Sequence, residues 1–192
     1  MIKEINKLVH WNYFLALDSD AEKLSRYIEF TTDNFEAYSI ELVRLLLSAA
    51  SEVDVIAKLL CGEVDPTAKA NDISDYRNIL NTNLPKIRDM RILIPRYGLE
   101  LIPWDNWKNN KTPDWWSDHN EVKHQRDKNF KKANLRNTLN SISGLFCLLL
   151  YYYKDEAEKG ALIPNPNLFF VCDELMGGWD ADQSGIIICY KL

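Results

Sequence analysis

Within the stretch TPDWWSDHNEVKHQRDKNFKKANLRNTL, from Thr112 to Leu139, the run Asn120-Glu-Val-Lys-His124-Gln-Arg126 holds the residue types that acid–base chemistry needs. An imidazole titrates near neutrality, so His124, or His119 five residues earlier, suits a general acid or base. Lys123 and Arg126 suit a phosphate, or the negative charge that builds on one under attack. At 3.6 residues per turn His119, Lys123 and Arg126 share one stripe, and Asn120, His124 and Asp127 the next. The alternative is structural, with His124 and Asn120 bonded to acidic groups of another helix. His10 has no such neighbours in sequence and reads as a surface or packing residue.

Other chemistries find little support. Asp180-Ala-Asp182-Gln-Ser184-Gly185 begins like a calcium loop, but position 12 is Lys191 where a bidentate Glu is required. No GxGxxG, GxxxxGK, GxSxG or HExxH occurs, so nucleotide-dependent, nucleophilic-elbow and zinc chemistry have no motif. No cofactor and no metal is expected. Cys61, Cys147, Cys172 and Cys189 have no ligand spacing and read as reduced thiols.

The elements that must position these groups are mostly helical. Thr112 reads as a cap, Pro113 as the first helical position, and Asp114 as a favourable charge at the dipole's positive end. Only Trp115, Trp116 and Val122 are apolar in this helix, which leaves it little to bury. The two indoles, with Lys128, Lys131 and Lys132, therefore read as a nucleic-acid-binding surface.

Residues 1–20 read as a lead-in, followed by a cap at Asp18-Ser19-Asp20 and a modest helix over 21–30. Thr31-Thr32-Asp33 is expected to cap a long helix from Asn34 to Cys61, whose apolar face includes Leu42, Leu45, Leu46, Ala49, Val53 and Ile56. Its opposite arc carries Glu41, Arg44, Glu52, Asp54 and Lys58, and large apolar residues interleave with them. A further helix is expected over 71–84, a strand pair over 91–102, and a second long helix over 129–158. The two long helices should pack antiparallel as a bundle core. Leu168–Cys172 and Gly185–Leu192 read as two strands flanking a turn at Gly177-Gly178. The fold class is mainly α, a bundle on two long helices with β-hairpins at 91–102 and 168–190. Residues 1–160 would be the helical domain and 161–192 a β appendage in the same folding unit.

A formal net charge of −5 over 192 residues makes no general case for nucleic-acid binding. The charge is uneven, however: 108–136 sums to +4, leaving −9 elsewhere. A local basic surface on an acidic protein follows. The first residues lack a signal peptide's apolar core, and the longest apolar run, 144–153, is too short to span a bilayer. The expectation is a cytoplasmic protein with no membrane partner.

The acidic-plus-Lys long helix (Glu52, Asp54, Lys58), the N-x-x-K-H-x-R segment 120–126 and the long apolar helix after it together resemble the HEPN class. These are small prokaryotic helical domains of toxin–antitoxin and antiviral systems, many of them metal-independent ribonucleases. The resemblance covers about residues 33–158, with Arg126 after His124 rather than before it. It implies an RNA 2′-hydroxyl as nucleophile and His124 or His119 as general acid or base. Arg126 and Lys123 would stabilise charge, and Glu52 or Asp54 would orient a His or Lys. The function implied is ribonuclease or RNA-binding component, as a homodimer or with a partner protein. The alternative is a non-catalytic protein-interaction module.

Overall fold

The computed structural model describes residues 7–182 and 185–192. The first six residues of the expected lead-in lie outside it, as do Gln183 and Ser184 in the calcium-like stretch. Among the described residues the fold is mainly α, with small antiparallel sheets.

Helix α1 runs unbroken from Val9 to Leu24. Trp11, Phe14, Leu17, Ala21 and Leu24 fall on one buried stripe that passes straight through the Asp-Ser-Asp run expected to cap a later helix. Helix α2 spans Ile40–Val64, starting six residues later than expected. Thr31 caps only a short 3-10 turn, Thr32–Asn34, and Ser39 Oγ caps α2 by accepting from Leu42 N at 3.2 Å. The backbone between them is committed elsewhere, since Ala37 and Phe35 carbonyls accept from Leu135 N and Arg136 N.

After α3 (Ile73–Asn83), which Asp72 caps, the strands β1 (Ile92–Ile94) and β2 (Leu99–Leu101) pair antiparallel. Helix α4 (Asp114–His124) and the short α5 (Arg126–Asn129) lead to α6, Leu135–Tyr152, capped by Asn134 Oδ1 accepting from Asn137 N. The expected 129–158 helix is thus trimmed at its start and ends in a separate turn of helix, α7 (Lys154–Glu158).

The long pair α2 and α6 runs parallel, not antiparallel. Their starts meet, with Thr138 Oγ1 3.2 Å from Leu42 O and a backbone bridge from Tyr38 to Asn134. Further along, His10 reaches Glu52 at the middle of α2 and the Tyr152 ring at the end of α6 at once. Helix α4 lies antiparallel to both: Trp115 packs at Gly144 and Asp118 bonds Asn137, while Val122 joins Val43 and Leu46. Matched apolar faces are equally satisfied in either direction, so the sequence pattern left the direction open. The long connection between the helices makes the parallel arrangement possible.

The C-terminal strands also pair differently. Strand β3 (Phe170–Val171) joins β1, making a three-stranded sheet of order β2-β1-β3. The expected turn at Gly177-Gly178 lies inside strand β4, Met176–Asp182, which pairs with β5, Gly185–Tyr190. The register shifts between Met176 and Gly178, and Gly178 has φ 152°, so the glycines mark a bulge. This tail is part of the core. Phe169 is fully buried, and Tyr190 packs edge-on to Phe146, on which Phe14 stacks at 4.9 Å.

Asp18 fastens it. The carboxylate is buried and accepts from the backbone N–H groups of Asn167, Leu168 and Phe169 at 2.8, 3.0 and 3.3 Å. Burial raises its pKa, and those three donors oppose the rise.

Leu46→Ala and Phe146→Ala should each cost about 2–5 kcal/mol in urea unfolding, as both side chains are fully buried. Asp18→Ala should cost about 1–3 kcal/mol by stranding buried donors. Amide exchange at residues 167–169 should then rise well above exchange in the α2–α6 core. Unchanged protection there would mean that Asp18 does not hold the tail.

Candidate functional site

Helix α4 is anchored by what looked like a surface. Trp115 and Trp116 are only 3% and 7% exposed, so neither indole is free to stack on a base. Their large apolar area supplies the burial the helix appeared to lack. Trp115 Nε1 donates to Pro103 O at 2.8 Å, and Trp104 Nε1 to Gly144 O at 3.2 Å. A Cβ at Gly144 would stand 3.1 Å from Trp115 and 3.2 Å from Trp104, so the indoles pack closely against its bare backbone. Thr112 does not cap; Pro113 holds that place with no side-chain bond.

Between α2 and α4 lies a cleft of about 360 Å³. Ser51 and Asp54 face it from α2, and His119, Asn120 and Lys123 from α4, with Leu47, Ala50 and Trp116 as apolar lining. His119 is 5% exposed, its ring 5.4 Å from that of Trp116. Its Nδ1 is sealed from solvent without a well-formed hydrogen bond. Desolvation, then the Lys123 charge, pushes its pKa down to about 4, against weaker opposite pulls from the Trp116 backbone and Asp54. The imidazole is therefore neutral at pH 7 and less basic than an exposed histidine.

The two expected carboxylates part company. Residues 52 and 54 are two apart on a helix, about 200° round, and cannot share a face. Asp54 stays at the cleft, with Oδ2 2.5 Å from Lys58 Nζ and Oδ1 accepting from Tyr76 OH at 2.8 Å. Glu52 turns towards α1 and meets His10 Nδ1 at 2.6 Å. His10 thus has the company that its sequence neighbours did not offer.

The expected stripe of His119, Lys123 and Arg126 is broken as well. The helix ends at His124, and Gln125 has φ −142° and ψ 58°, so Arg126 leaves the stripe. His124 is exposed at the helix end, outside the lining of the cleft. Arg126 sits beside Asp127 and Phe130 in an open hollow, with Lys128 and Lys131 exposed nearby in sequence. Lys132 is held by Asp118 at 2.9 Å and Glu121 at 2.6 Å, which fixes the segment after α5 to α4. Ser51 and Tyr76 were not legible as site residues, since nothing in their local sequence sets them apart.

No family model, curated protein or solved structure matches the chain.

What the cleft offers is therefore read from its own groups. A neutral imidazole, an amide, a hydroxyl and an exposed ammonium converge beside a carboxylate already neutralised by Lys58. Among the described residues no three His, Cys, Asp or Glu side chains are grouped as metal ligands. Nor is any described helix long and apolar enough to cross a membrane. Burial raises the Cys61 thiol to about 12 and raises the Cys147 thiol too, so neither is a ready nucleophile.

His119 should leave a mark on stability. Its folded pKa of about 4 lies below the unfolded value of 6.5, so between those values the unfolded chain binds more protons. Stability should rise as pH rises through that window and be lost on acidification, by on the order of 1–3 kcal/mol after solvent screening. Urea midpoints at pH 7.5 and pH 5 measure this directly. His119→Gln should flatten that part of the profile, and an unchanged slope would show that the imidazole is not buried.

Proposed function

We propose that this is a HEPN-like protein that acts on RNA, as part of a prokaryotic defence or toxin–antitoxin system, and that the α2–α4 cleft holds the phosphodiester. The observation carrying this reading is the convergence of His119, Asn120 and Lys123 with Ser51 in one cleft of about 360 Å³. Lys123 supplies charge for a non-bridging phosphate oxygen, and Asn120 a hydrogen bond. His119 is held neutral and takes the proton of the 2′-hydroxyl as that oxygen attacks phosphorus. A 2′,3′-cyclic phosphate forms, and the 5′-oxygen leaves with a proton from His124, exposed one residue beyond Lys123 at the end of α4. Asp54, tied to Lys58 and Tyr76, is a positioning residue for the lining of the cleft.

A second reading is a non-catalytic protein-interaction module. Val55 and Leu59, one turn apart on α2 and each 40% exposed, favour it.

Labelled RNA incubated with the protein in excess EDTA tests the first reading. Cyclic-phosphate ends should appear, and Lys123→Ala, at an exposed position, should slow the reaction on the order of 10²-fold. Salt-dependent RNA binding with no turnover would leave the binding half of the proposal and remove the chemistry. No RNA binding, together with a loss of partner capture in Val55→Asp, would favour the interaction module.

A further inference from the structure

With Trp115 and Trp116 buried, the basic segment beyond α4 needs another aromatic partner if it is to hold bases, and the structure supplies one. Phe130 packs one side against the small cluster of Val43, Leu46, Val122 and Ala133 and stays half-exposed. The Tyr38 ring meets it edge-on at 5.5 Å and is 44% exposed. Phe130 also lines, with Arg126 and Asp127, an open hollow of about 580 Å³. Leu47 packs on the same cluster and lines the α2–α4 cleft, so the two features are contiguous.

Cations with no carboxylate partner among the described residues also occur singly elsewhere, at Arg26, Lys69, Lys86 and Lys111, but here four of them are gathered within 123–131. Arg44, Lys58, Lys108 and Lys132 each hold a carboxylate. Lys123, Arg126, Lys128 and Lys131 are exposed, and none has an ion-pair or side-chain hydrogen-bond partner among the described residues. Asp127 is the one acid set among these four. Free cations beside exposed rings fit a flexible polyanion whose bases are unstacked, because every base has a face to stack and every linkage a charge. A duplex would present the phosphates alone, with its bases already stacked on one another.

We propose that Tyr38 and Phe130 form a stacking platform for single-stranded RNA, with Lys123, Arg126, Lys128 and Lys131 tracking its phosphates from the α2–α4 cleft. The assignment rests on the RNA reading above and goes beyond it in choosing single strands and naming the platform.

Fluorescence anisotropy with an oligouridylate of about twelve nucleotides, and with an RNA duplex of equal length, tests it at several salt concentrations. Tyr38→Ala is the informative variant, since Phe130→Ala opens a packed cluster and risks the fold. It should weaken single-strand binding on the order of tenfold with the salt slope unchanged, and Tyr38→Phe should retain binding. Duplex binding should not respond. Lys131→Ala should instead reduce the single-strand salt slope by about 0.7. If the wild type binds the oligouridylate and Tyr38→Ala binds equally well, the platform is overturned while the RNA reading stands. An equal loss on the duplex also overturns it, because stacking is then not what Tyr38 provides. If the wild type binds neither RNA, the RNA reading falls and takes the platform with it.

Discussion

The structure depends on covering α6. Between Leu135 and Tyr151 nearly every side chain is buried, with Arg136 and Asn140 as the departures. A helix buried all round cannot rest on one neighbour, because any bare side would leave Leu145, Phe146, Cys147 or Leu148 in water. Helix α2 therefore covers one side along its length, α1 and α4 cover others, and Tyr190 of the C-terminal strand closes on Phe146. The parallel course of α2 and α6 follows from the chain between them, which runs out through α3 and the β1–β2 hairpin and returns through α4. That return lays α4 antiparallel against both long helices and so creates the cleft.

The electrostatics of the cleft follow from the same packing. Trp116 excludes water from His119, and Lys123 one turn further on opposes its protonation, so a residue type that is usually half-charged becomes a neutral base. Asp54 counters this only weakly, and Lys58 and Tyr76 occupy its two oxygens. Glu52 leaves the site because the helical period places it on the α1 side, where His10 meets it. The titratable groups are thus sorted by helix geometry more than by distance along the chain.

The break at Gln125 divides the basic stretch between two surroundings. On the α4 side Lys123 reaches the cleft, and beyond it Arg126 to Lys131 follow a surface that ends at Phe130 and Tyr38. Lys132 lies next to Lys131 in sequence yet is locked into Asp118 and Glu121. Adjacent lysines therefore serve as brace and free cation respectively.

Helical periodicity and capping chemistry made α3, the core face of α2, the burial of α6 and the β1–β2 hairpin legible, because each is a local pattern that packing only has to satisfy. The mixture of imidazole, amide and cation on α4 was also legible, and the structure brings His119, Asn120 and Lys123 of it into one cleft. Local patterns carry no direction or partner, so the parallel pairing of α2 with α6, the pairing of Phe170–Val171 with β1 and the bond from His10 to Glu52 emerged only in three dimensions. Capping signals misled where a long-range bond outbid a local one: Asp18 receives three backbone donors from 167–169 instead of starting a helix. Composition likewise pointed Trp115 and Trp116 outward, and the core drew them in, because burying an indole whose N–H finds a carbonyl, as Trp115 does at Pro103, gains more than leaving it in water.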